Sequence, residues 1–138
     1  MRILGIDHGT KRMGLAVSDE LGMLAHPLDY FPAEPFAEFI VRLQELIRVR
    51  EIGLIIVGLP RNMDGSYGPA ALKVRDFVAT LSRAVATPIR TWDERLSSAQ
   101  ANRVLLQANV RRDRRKEVVD KMAAAIILQS YLDSAPPA

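Results

Sequence analysis

Four acidic residues stand at the ends of apolar segments, where a carboxylate is costly unless something holds it. Asp7 closes the run "RILGI" and is followed at once by "HGTKR". Asp93 and Glu94 lie in "TWDERLSS", and Asp120 lies in "KEVVDKMAAAIIL". Two readings of Asp7 stand open: a cap on the Gly9-Thr10 turn through an Asx-type hydrogen bond, or a paired or metal-bound carboxylate at a buried strand end. Asp93 and Glu94 cannot share one role, because neighbouring strand residues point to opposite faces. Asp120 has Ala123, Ala124 and Ile127 at its helical neighbour positions, which places it on or beside a packing face. It could also act as a first-turn acid favoured by the helix dipole, although Glu117 already serves that end.

Carboxylates from three separate elements can converge on one point. Oxygen-only donors suit hard Mg²⁺ or Mn²⁺ and argue against zinc. Two or three like charges without a cation would repel one another, so such a cluster implies its own cofactor. Two ions roughly 4 Å apart would activate water and stabilise the leaving oxygen of a phosphodiester cleavage. Basic residues are placed to bring in phosphates: Lys11 and Arg12, Arg61 with Asn62 in "RNMDGSYG", Arg95, and Arg111, Arg112, Arg114 and Arg115. These are expected on loops, where phosphate contacts usually sit. His8 is a candidate proton shuttle, and Tyr67 and Trp92 are the candidates for base stacking, with core packing favoured for Trp92.

The elements that must position these groups follow from periodicity. "RILGI" (2–6) is apolar on both faces, as in a central strand. "MGLAVSD" (13–19) and "MLAHPLDYF" (23–31) read as two more strands, with Pro27 marking an edge. In 34–50, Phe36, Phe39, Ile40, Leu43 and Ile47 recur at helical spacing, with Pro35 in the first turn. A buried strand (52–60), a helix opened by Pro69 (69–85), a short strand (88–92), a helix over 97–108 and a final apolar helix (116–133) follow. The fold class is therefore α/β, one domain over 1–138 with a disordered tail at about 134–138. Its mixed five-stranded sheet combines a three-stranded antiparallel meander with two parallel strands, flanked by helices. Right-handed crossovers bring the C-terminal ends of the first, fourth and fifth strands to one edge, carrying Asp7 and Glu94.

Composition narrows the function classes. The 138 residues contain no cysteine, which excludes disulfides, thiolate chemistry and Cys-based metal sites. "MRILGID" reaches an acid too soon for a signal peptide's apolar region, and no run is long enough to span a membrane. A cytoplasmic protein without membrane partners is expected. Net charge is +3, yet "RRDRRK" (111–116) alone carries +4, so the excess is local, as in a phosphate-contacting patch.

Four blocks closely resemble the YqgF (RuvX) family of the ribonuclease-H-like superfamily. They are "GIDHGTKRMGLAVSD" (5–19), "VGLPRNMDGSYGP" (57–69), "DERLSS" (93–98) and "VDKMAAAIILQSYLD" (119–133). The resemblance spans nearly the whole chain and implies a ribonuclease-H-like nuclease. By motif, it makes Asp7, Glu94 and Asp120 the catalytic and metal-binding acids, with Asp93, Thr10 and His8 in support. It implies processing of the 5′ end of precursor 16S rRNA during ribosome assembly, with RNA and the ribosome as partners. The rival reaction is cleavage of Holliday junctions in branched DNA, which needs paired active sites and hence a dimer; monomer and dimer stay open. His8 stands where the family carries an aromatic residue, and Tyr67 where an acid is common. An actin-like ATPase also shares "GxDxGT" but needs two domains, for which this chain is too short. A nucleic-acid-binding module without catalysis is the remaining class.

Overall fold

Alternation along the inner strands divides their side chains between two helical layers. A computed structural model describes residues 1–62, 64–94 and 115–134, with side chains from 122 onward in the last segment. The strands are β1 (Arg2–Asp7), β2 (Arg12–Ser18), β3 (Ala25–Pro32), β4 (Ile52–Leu59) and β5 (Ile89–Asp93). Among the described residues the helices are α1 (Phe36–Arg50), α2 (Pro69–Ala84) and α3 (Arg115–Ser134).

The sheet runs β3-β2-β1-β4-β5. β1 pairs antiparallel with β2, and β2 with β3, which makes the expected meander. β4 joins β1 and β5 in parallel, through α1 and α2 as crossovers. β3 is an edge strand, and Pro27 is tolerated there because an edge residue need not donate to a second ladder.

On one face, Leu4 and Ile6 of β1, Leu15 and Val17 of β2, and Ile55 and Val57 of β4 pack with Phe39 and Leu43 of α1 and Phe77 and Leu81 of α2. On the other, Ala16, Leu54 and Ile56 pack with Ala124, Ile127 and Leu128 of α3. Each fully buried Leu or Ile contributes about 1.5–3 kcal/mol, so both layers are needed to hold the sheet. Helix α3 lies close to β1 because Gly5 leaves room: a Cβ there would stand 2.9 Å from Leu128 Cβ and 3.0 Å from the Ala124 carbonyl. At its far end Gln129 ties α3 to the β2–β3 connection, accepting from the Ala25 N–H and donating to the Met23 carbonyl.

Boundaries shift in several places. Pro35 is the cap residue before α1 rather than a member of its first turn. Arg12 belongs to β2, not to the preceding loop, and its guanidinium lies 4.2 Å from the centre of the Tyr30 ring. Arg115, expected on a basic loop, opens α3, and Ser134, expected in a frayed tail, closes it. The helix expected over 97–108 lies outside the described residues, as do Arg95, Arg111, Arg112, Arg114 and residues 135–138.

Candidate active site

Two parallel pairings carry the C-terminal ends of β1, β4 and β5 to a common edge, with Ile6 opposite Val57 and Leu59 opposite Asp93. Asp7 ends β1, and Glu94 follows the last residue of β5. Strand alternation places Asp7 on the α3 face, two residues after Gly5. A Cβ on Gly14 would have Asp7 Cβ at 3.4 Å and Ala124 Cβ at 3.8 Å, so Asp7 and the α3 backbone flank the same glycine. Asp120 precedes Ala124 by one helical turn; its side chain lies outside the described atoms.

Glu94 reaches that face by lying across β4. A Cβ on Gly58 would meet Glu94 Oε1 at 2.7 Å and Ile127 Cδ1 at 2.6 Å, so both side-chain ends would have to shift to admit one. The half-buried Glu94 carboxyl is pushed up to about 7, first by burial, then by the Asp7 and Asp93 carboxylates. Two acids therefore share one poorly solvated site, an arrangement that a cation relieves. Among the described residues, no three His, Cys, Asp or Glu side chains stand close enough to hold a metal ion.

Asp93 faces elsewhere, as the alternation argument requires. Its carboxylate pairs with Arg61 at 3.5 Å, and both side chains are largely buried. Arg61 also donates from Nε to the Gly65 carbonyl at 3.0 Å, and its guanidinium stands over Tyr67. Arg75 of α2 approaches the Tyr67 ring as well, at 4.3 Å from its centre. Asn62 donates to Ser66 Oγ within the same loop. Arg61 and Asn62 thus serve the loop's own scaffold, linking the ends of β4 and β5. Trp92 is a core residue: its ring meets Tyr131 edge-on and its Nε1 donates to Ser130 Oγ.

His8 lies on the opposite face from Asp7, its ring 4.9 Å from Phe77. Burial, and then the nearby Lys73 charge, lower its pKa and keep the imidazole neutral at neutral pH. Thr10 and Lys11 are exposed in the turn that follows, and the Lys11 carbonyl accepts from the Ala33 N–H.

Gly58 is the site residue that sequence reasoning passed over. Its signal was a lone glycine inside the apolar strand "IGLIIVGL", a pattern that marks close backbone approach. The Gly58→Ala protein should lose about 1–3 kcal/mol of stability from overpacking against Ile127. Its cleavage rate should fall on the order of 10²-fold as the Glu94 carboxylate is displaced. Urea unfolding and a cleavage assay read the two effects, and unchanged cleavage would show that Glu94 needs no such seat.

The profile of the family described as "RuvX: Holliday junction resolvase" matches residues 1–134. A protein of Halothermothrix orenii named "Putative pre-16S rRNA nuclease" is 49% identical over 133 residues, covering 96% of this chain and 95% of its own length. A Geobacillus relative of the same name is 48% identical, covering 97% and 99%. Among solved structures, Thermus thermophilus RuvC in complex with a Holliday junction superposes with a TM-score of 0.58 at 17% identity, covering 98% of this chain and 97% of that one. A fowlpox virus resolvase bound to Holliday junction DNA gives 0.52 at 14%, covering 99% and 100%. At such identities the likeness concerns the fold alone.

Proposed function

Because the chain belongs to the RuvX family, we propose that it is a divalent-metal-dependent endonuclease that processes the 5′ end of precursor 16S rRNA in the cytoplasm. The protein is a hydrolase of phosphodiester bonds. The observation that carries the reading is the raised Glu94 carboxyl, held against Asp7 at the shared C-terminal edge of β1, β4 and β5. Oxygen-only donors fit Mg²⁺ or Mn²⁺, which need few protein carboxylates and keep several waters. Asp7 and Glu94 would hold the ions, two in number, with Asp120 as the third arm by family motif. When bound, they supply Lewis acidity and a water of lowered pKa.

The chain's own groups do the rest. Asp7 and Glu94 would fix where the cations, and through them the scissile phosphate, sit along the sheet edge. Glu94 gives up its proton before it can hold a cation, so cation binding there releases a proton. Asp93 and Arg61 lock the ends of β5 and β4 together, so the edge is rigid when substrate arrives. Lys11 and Arg12, with Arg95, Arg111, Arg112, Arg114 and Arg115, neutralise flanking phosphates. Thr10 and His8 support the turn that follows Asp7. No helix among the described residues is long and apolar enough to cross a membrane.

Holliday junction cleavage is the second reading, favoured by the family's description and the fold shared with junction-bound resolvases. It needs two active sites related by a two-fold axis. Precursor rRNA, single-stranded RNA and a four-way DNA junction, offered in parallel with Mg²⁺ or Mn²⁺, separate the readings. Cleavage of the rRNA precursor at its 5′ end is expected. Symmetric nicking of the junction alone would favour the resolvase, and no cutting of any substrate would remove the enzyme reading.

A further inference from the structure

The sheet edge that carries Asp7 on one face opens on the other into a pocket of about 410 Å³. This lies within the roughly 300–1,000 Å³ of small-ligand sites. Its floor includes His8, the residue after Asp7, and its wall is one face of α2: Lys73, Asp76, Phe77 and Thr80 recur at helical spacing. Phe36 at the start of α1 closes the far side, edge-on to Phe77 at 6.3 Å between ring centres.

We propose that this pocket receives one unpaired nucleobase of the RNA strand, next to the phosphate at the Asp7–Glu94 cation site; the proposal rests on the nuclease reading. The part-exposed rings of His8 and Phe36, backed by the buried Phe77, give a flat ligand apolar and stacking contact. Lys73 and Asp76, exposed and one helical turn apart, offer a donor and an acceptor at the mouth. Among the described residues Lys73 forms no salt bridge. A phosphate would suit Lys73 but meet repulsion from Asp76 and Glu34, whereas a neutral base edge presents a carbonyl to the one and an amine to the other. Adjacent strand residues lie about 3.8 Å apart at Cα and point to opposite faces. A strand crossing the edge therefore places its phosphate beside Asp7 and swings the neighbouring base into the His8 pocket. A stacked duplex cannot do this, so the pocket selects single-stranded or frayed RNA.

The test is binding of a short, fluorescein-labelled single-stranded RNA in EDTA, with an abasic residue moved through the strand. An abasic residue at one position should weaken binding about 10-fold, the usual range for loss of one stacked base. Lys73→Ala and Asp76→Ala change exposed side chains and should each weaken the intact RNA about 5-fold or more while leaving binding of that abasic strand unchanged. Equal losses on both strands, indifference to every abasic position, or no binding of the RNA would overturn the proposal. So would competition by free nucleoside monophosphate as strong as that of the strand, which would make the occupant a soluble nucleotide. The two readings fail separately. Base-sensitive binding without cutting in Mn²⁺ sinks the nuclease and leaves the pocket, and cutting with base-indifferent binding does the reverse.

Discussion

The Asp7→Asn protein should fold as well as the wild type and lose cleavage by about 10³-fold or more, the scale expected when a metal-holding carboxylate is neutralised. The first half follows from the site's electrostatics. Asp7 raises the Glu94 carboxyl, so an uncharged residue of the same shape removes that repulsion. The second half follows from position: Asp7 ends the central strand, flanked by the glycine-lined approach of α3. Matched melting curves and a single-turnover cleavage assay check it. Retained cleavage would remove Asp7 from the catalytic set, and loss of the fold would make it structural.

Glu94→Gln carries an expectation in stability as well as in rate. Cleavage should fall on a similar scale. In the folded, metal-free protein the Glu94 carboxyl is raised from the ordinary glutamate value of 4.5 to about 7. The folded state thus keeps a proton that the unfolded chain releases across that window, and stability falls as pH rises through it. Above about pH 7 the full penalty is present; below the unfolded value it is absent. Partial exposure screens the effect to roughly 1–2 kcal/mol. Relative to the wild type, the Gln protein should therefore gain that amount in EDTA between pH 4.5 and 8. Titrating groups away from the site are common to both chains, so the difference reads Glu94 together with the Asp7 and Asp93 carboxylates coupled to it. Parallel pH profiles would show that the site is better solvated than its geometry implies.

The succession of strands and helices follows from periodicity, because a two-residue alternation and a 3.6-residue stripe are local signals. The mixed sheet follows from the connections, whereas the strand order β3-β2-β1-β4-β5 appears only in the structure. Asp7 and Glu94 were legible for a related reason: an acid at the end of an apolar run conflicts with its surroundings and asks for a partner. Gly58 carried a local signal, a lone glycine in an apolar strand, but the purpose of Gly58 and Gly5 appears only once Glu94 and α3 are known to lie against them. The His8 pocket was hidden for the same cause, its walls coming from three elements far apart in the chain. Arg61 reads as a phosphate contact from its place on a basic loop, whereas its contacts with Asp93, Gly65 and Tyr67 have no local sequence signal and appear only in the structure.

The central claim is that Asp7 and Glu94 together hold a divalent cation. Crystals soaked in Mn²⁺ and measured near the manganese edge test it most directly. An anomalous peak between the Asp7 and Glu94 carboxylates, lost in Asp7→Asn crystals, is the result predicted here. A clear map with no peak at that edge, or a peak that persists without the Asp7 carboxylate, would contradict it.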